Sequence, residues 1–127
     1  MAHATEEKNL ITTNAVDLSS QTQRNEIRQE SAKLAIEEAE NLKGVDLLLL
    51  DIKNISTLSD YVLIVTGNSS THCKAIAESI RVSSKKAGFE ILGFESDPQS
   101  EWILIDLGDT IIHVMQQEKR EYYALEK

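Results

Sequence analysis

A chain of 127 residues is long enough for one domain with a buried core and too short for two substantial ones. Its composition, 41% hydrophobic and 27% charged, is that of a soluble globular protein, and no apolar run approaches the ~18 residues of a membrane span. The net charge of −8, without any Lys/Arg cluster, argues against nucleic acid or an anionic membrane as ligand and favours a basic protein.

Residues 1–22 are rich in Thr, Ser, Asn, Gln and Glu and show no sustained apolar period, which predicts a mobile N-terminal tail ahead of a domain spanning 23–127. The first residues have neither the basic start nor the apolar stretch of a secretory signal. From Asn25, a candidate N-cap, apolar residues recur at Ile27, Leu34, Ala35, Ala39 and Leu42, and Gly44 stands where a helix-ending glycine belongs. Val45 to Ile52 is apolar on both faces apart from Asp46 and Asp51, the pattern of a central strand covered by helices on each side, and Tyr61 to Thr66 is a second such strand.

Gly67-Asn68-Ser69-Ser70 turns the chain into a helix with Cys73, Ile76, Ala77, Ile80 and Ala87 on one stripe, closed by Gly88. Ile91 to Phe94 reads as a short strand. Trp102 to Leu107 and Thr110 to Gln116 read as two more, joined by a Gly108-Asp109 turn, and Gln117 to Glu126 as a closing helix. The expected fold is therefore a single α/β layered domain, a mixed five-stranded sheet flanked by helices.

The residues argue against chemistry. The Gly67 turn could offer backbone N–H groups to a phosphate, but it lacks the Gly-Lys-Ser/Thr ending of a P-loop and the spaced glycines of a dinucleotide fingerprint, so a serine-capped turn explains it. Metal-dependent nucleotidyl transfer would need carboxylates converging from alternate strand positions, and no such pair occurs; Asp106 and Asp109 straddle the hairpin turn, and Asp51 and Asp60 flank a loop. His72 and Cys73, adjacent on a helix, point about 100° apart and make no nucleophile–base pair. Cys73 lies on the apolar stripe and reads as core. Lacking a second cysteine, the chain has no internal disulfide and no cysteine-built zinc site, which fits a reducing, cytoplasmic compartment. Three histidines without matching spacing make no metal site, and no cofactor is expected.

Alternation places Trp102, Leu104 and Asp106 on one strand face and Ile103, Ile105 and Leu107 on the better core face. On the following strand His113 alternates with Ile111 and Met115. Trp102 beside Glu101 has the ingredients of an interface anchor, although a tryptophan closing the edge of the core fits equally. Tyr122 and Tyr123 carry the same two readings.

Two long stretches sharpen the picture. Asp46 to Ile80 carries a Leu-Asp-Ile strand end, Ser59-Asp60-Tyr61 and Thr66-Gly67; Glu101 to Lys127 carries Glu-Trp, Asp-Leu-Gly-Asp, His-Val and Arg-Glu-Tyr-Tyr, with Gly93 and Glu95 between. In this order the motifs resemble the ribosome-silencing factor, or Iojap-like, family. Met115 stands where an aromatic is usual, Gln117 where proline is expected and Ser96 in place of a common glycine.

The resemblance implies a non-enzymatic translational repressor. Such a factor binds ribosomal protein fourteen of the large subunit and blocks joining of the small subunit, lowering translation under nutrient limitation. It also implies a fold similar to that of nucleotidyltransferases without their activity, and homodimers that compete with ribosome binding. For the partner surface the expected centre is Trp102, Leu104, His113 and Met115, with Asp60, Glu95, Glu101 and Asp109 near a rim facing Lys and Arg. A nucleotide-binding or nucleotidyltransferase-like enzyme is the alternative, and a partner-binding dimer unrelated to ribosomes a third reading.

Overall fold

A computed structural model describes residues 14–123. Among these, one six-stranded mixed sheet runs in the order β1-β2-β3-β6-β5-β4. Its strands are β1 (Ala15–Val16), β2 (Val45–Asp51), β3 (Tyr61–Gly67), β4 (Gly93–Ser96), β5 (Trp102–Asp106) and β6 (Thr110–Gln116). Only β3 and β6, at the centre, run parallel; every other neighbouring pair is antiparallel. The helices are α1 (Gln21–Asn25), α2 (Glu30–Asn41), α3 (Ser70–Lys86) and α4 (Gln117–Tyr123).

Cross-strand register sorts the side chains into two faces, since residues directly opposite one another point the same way. Leu49, Leu63, Ile112 and Ile105 form one row across the sheet, and Val65, Val114 and Ile103 another. The two rows pack with Ala32, Ala35, Ile36 and Ala39 of α2 and with Cys73, Ile76, Ala77 and Ile80 of α3 to form the main core. Both long helices therefore lie on one face. Small residues on α2 let it sit close against α3 and the sheet. At the end of α2, Gly44 passes so near Val65 that a Cβ there would fall 2.6 Å from its Cγ1. Ser31 and Thr110, both buried, satisfy each other across α2 and β6 at 2.9 Å.

Three expectations need correction. The sheet has six strands rather than five: β1 lies within the segment read as a tail, with Ala15 opposite Leu50 and Val16 opposite Leu49. Residues 14–22 thus hold a strand and the start of α1, so a boundary between 22 and 23 falls inside a helix; residues 1–13 lie outside the described residues. Asn25 is not an N-cap. Ser20 caps α1 by accepting from the Gln23 amide, and α1 ends at Asn25, after which Ile27 turns into the core at 3% exposure and α2 starts only at Glu30. Burial of Ile27 outweighs continuation of the helix.

The third correction concerns β2 and β3, whose two apolar faces suggested helices on each side. Among the described residues only α4 reaches the second face, at one end, where Arg120 donates from Nη1 to Thr66 Oγ1 at 2.7 Å and to the Asp46 carbonyl at 2.6 Å. Among the described residues the rest of that face is open.

The remaining elements match closely. The α3 helix is capped by Ser69, which accepts from the His72 amide, and Gly88 follows it at φ +90°. The β5–β6 hairpin turns through Gly108 at φ +88° and Asp109, with the Leu107 amide donating to the Thr110 carbonyl. The short strand starts at Gly93 rather than Ile91. Residues 124–126 of the closing helix lie outside the described residues.

The two faces should respond differently to truncation. Leu63→Ala, on the helix-covered face, is expected to lower unfolding free energy by about 2–5 kcal/mol, whereas Leu104→Ala, on the open face, should cost no more than about 1 kcal/mol; urea unfolding measures both.

Candidate functional site: an open sheet face with an aromatic groove

One row of side chains crosses the open face from β2 to β4: Leu48, Ile64, His113, Leu104 and Glu95, each opposite the next. Beside it run Leu50, Val62, Ile111 and Asp106, and on the other side Thr66, Met115 and Trp102. Ile64 and Met115 are fully buried yet belong to a layer apart from the main core. Around them Leu48, Leu50, Val62, Leu104, Trp102 and Ile111 are only half-buried. A contiguous apolar face of this kind, uncovered among the described residues, is a candidate docking surface.

At its β4–β5 edge the face deepens into a groove of about 310 Å³ lined by Glu95, Ser96, Asp97, Trp102, Leu104 and His113. Four of the eight residues expected at the partner surface, Glu95, Trp102, Leu104 and His113, thus converge. The indole Nε1 of Trp102 donates to His113 Nδ1 at 2.9 Å, with ring centroids 5.8 Å apart and planes tilted by 50°. A nitrogen that accepts this bond carries no proton, so the geometry selects the neutral imidazole. Burial pushes the His113 pKa in the same direction, below its ordinary value of 6.5.

The backbone on which Trp102 stands is held by Asp97, a residue the sequence reading passed over. Its Oδ1 accepts from the amides of Glu101 (2.7 Å) and Trp102 (3.0 Å), while the Ser100 amide donates to the Asp97 carbonyl in a turn with Ser100 at φ +58°. An Asp followed by Pro98 between two strands was the available signal, since aspartate bonds its own downstream amides in turns.

The other four expected residues are placed elsewhere. Glu101 flanks the groove, and its carboxylate lies 3.7 Å from Lys119 Nζ. Met115, opposite Trp102, is 0% exposed, which removes it from the expected contact surface. Asp60 and Asp109 stand at the opposite end of the sheet, about five residues or ~17 Å along β6 from the Trp102 row. Asp60 accepts from Gln29 Nε2 on the helix-covered side, and the Asp109 carbonyl accepts from the amides of Asp60 and Tyr61. The side chains of Tyr122 and Tyr123 lie outside the described residues, as does His3.

The Gly67 turn is closed by its own side chains: the Asn68 amide donates to His72 Nδ1 at 2.9 Å, and His72 Nε2 lies 2.7 Å from the Leu42 carbonyl. A Cβ at Gly67 would come within 2.5 Å of Cys73 Sγ, so glycine is required there for close packing of strand on helix. Cys73 is buried, and burial pushes its thiol pKa up, the environment of an inert core residue. Among the described residues no three His, Cys, Asp or Glu side chains group to hold a metal, and no helix is long and apolar enough to cross a membrane.

Residues 24–127 match the family model described as "Ribosomal silencing factor during starvation". The ribosomal silencing factor of Chromobacterium violaceum is 42% identical over 98 residues, covering 77% of this chain and 80% of that protein. That of Haemophilus influenzae is 41% identical over 92 residues, covering 72% of this chain and 90% of that protein. A crystal structure of a Chromobacterium violaceum protein superposes with a TM-score of 0.73 at 41% identity, covering 76% of this chain and 81% of that one.

Because the His113 pKa is lowered on folding, the unfolded chain takes up a proton at His113 that the folded chain refuses. The stability this contributes is present above about pH 6.5 and is lost as pH falls from there toward the folded value. Urea unfolding at pH ~7.5 and ~5.5 should show a loss of stability on acidification that is smaller in His113→Gln.

Proposed function

Because the chain belongs to the ribosomal silencing factor family, we propose that it represses translation by binding the large ribosomal subunit and blocking its union with the small one. The contact is with ribosomal protein fourteen of the large subunit, and repression operates when nutrients are scarce. The observation that carries the reading is the open apolar face ending in the Trp102–His113 groove, on a chain of net charge −8.

A ribosome presents mostly RNA, which repels such a chain, and basic ribosomal proteins, which attract it; charge thus selects a protein target on a nucleic-acid particle. An apolar centre with acidic groups around it has the make-up of a protein–protein interface. Blocking by occupancy requires no chemistry, in keeping with a family named for silencing rather than for a reaction. The protein acts in the cytoplasm, through the single domain that carries the open face. A second copy docking on the same face would give a homodimer that competes with the ribosome, because an open apolar face is self-complementary as well as partner-complementary.

Purified protein should co-sediment with large subunits in a sucrose gradient and suppress their joining with added small subunits. Trp102→Ala and the charge insertion Leu104→Asp should each weaken binding by about tenfold or more while circular dichroism shows them folded. Wild-type protein remaining at the top of the gradient would exclude the ribosomal role.

A further inference from the structure

The two carboxylates lining the groove, Glu95 and Asp97, are not compensated by any cation among the described residues. Glu95 is exposed on the edge strand β4, opposite Leu104, and takes part in no ion pair among the described residues. Asp97 spends Oδ1 on two backbone amides and leaves Oδ2 without a hydrogen bond among the described residues. The neighbouring acid, Glu101, has Lys119 nearby, and elsewhere Asp51 has Lys53, Glu40 has Arg24 and Glu78 has Arg81. The groove therefore combines an indole, a neutral imidazole and an aliphatic side chain with two unneutralised carboxylates at its β4 side.

That combination has a specific complement. A guanidinium is planar, weakly hydrated, packs against aromatic rings and bonds carboxylates with two N–H groups at once; an ammonium is compact and strongly hydrated and gains less from an apolar groove. We propose that the groove bounded by Glu95, Asp97, Trp102, Leu104 and His113 is a receptor for a single arginine side chain of the partner protein, with Glu95 as its principal counter-charge. The proposal rests on the reading of the open face as a docking surface and gives that surface its point of specificity. Apolar neighbours along the Leu48–Leu104 row supply contact area, and the arginine sets the register of the partner on the sheet.

Trp102 is the only tryptophan in the chain, so its fluorescence reports on the groove directly. The wild-type chain and Glu95→Gln, an exposed substitution that keeps the shape of the side chain, are titrated at millimolar concentration with a short capped peptide carrying one arginine. The control is the same peptide with citrulline, which retains the planar end group without its charge. A saturable change with arginine, absent or weakened about tenfold with citrulline and in Glu95→Gln, is expected. An equal response to the two peptides, or none to either, overturns the assignment. Co-sedimentation with large subunits is measured in parallel on the same two proteins. If the peptides fail to discriminate while wild type still binds large subunits, the groove assignment alone falls. If they discriminate while wild type does not bind, the groove assignment holds and the ribosomal reading falls.

Discussion

The structure depends on where its two long helices go. A parallel pair such as β3 and β6 usually sits at the centre of a sheet covered on both faces, because parallel strands carry apolar residues on both. Here α2 and α3 pack against each other on one face, and their small residues, Ala32, Ala35, Ala39 and Ala77, allow close approach to the sheet. The short α4 reaches the other face at the Thr66 end, held there by Arg120, itself 7% exposed. Ile64 is buried, but the half-buried side chains around it have no second layer among the described residues. An apolar sheet face without a layer upon it is stable in water only when small or partnered. By placing both long helices on one side, the fold leaves this apolar face without a second layer among the described residues.

Local chemistry then gives this surface a defined point. Asp97 fixes the start of β5 through two backbone bonds, which sets the position of Trp102; Trp102 in turn fixes the tautomer of His113. Each side chain in the chain of contacts is oriented by the one before, so the groove is formed before any partner arrives, and little ordering cost remains to be met on binding. Net charge acts at longer range. It speeds encounter with a basic partner and does not choose the contact residues.

Much of this was legible in the residues. Strands β3 and β6 and helix α3 stood out because each combines a sustained apolar period with a capping or turn signal at its ends. The faces of β5 and β6 followed from alternation, which put Trp102 with Leu104 and His113 with Ile111 and Met115; the register of the two strands is what brings Leu104 opposite His113. The misses have physical causes. Two residues are too few to show a period, so β1 was hidden in a polar segment. Asn25 has the chemistry of a cap but is the last residue of a helix already capped by Ser20. The two-sided apolarity of β2 and β3 looked like cover by helices on both sides, because a docking face and a core face are written in the same side chains. Strand alternation names a face but not a position along it, which is why Asp60 and Asp109 were grouped with residues at the other end of the sheet. The motifs of the two stretches Asp46 to Ile80 and Glu101 to Lys127, by contrast, identified the family.

The central claim is that this chain meets its partner with the open sheet face. Hydrogen exchange of the protein alone and bound to large ribosomal subunits tests it most directly. The account predicts new protection in β4, β5 and the Ile111–His113 stretch of β6, with α2 and α3 unchanged on their outer surfaces. Protection confined to α2 and α3, with exchange along β4 and β5 unaltered, would contradict it.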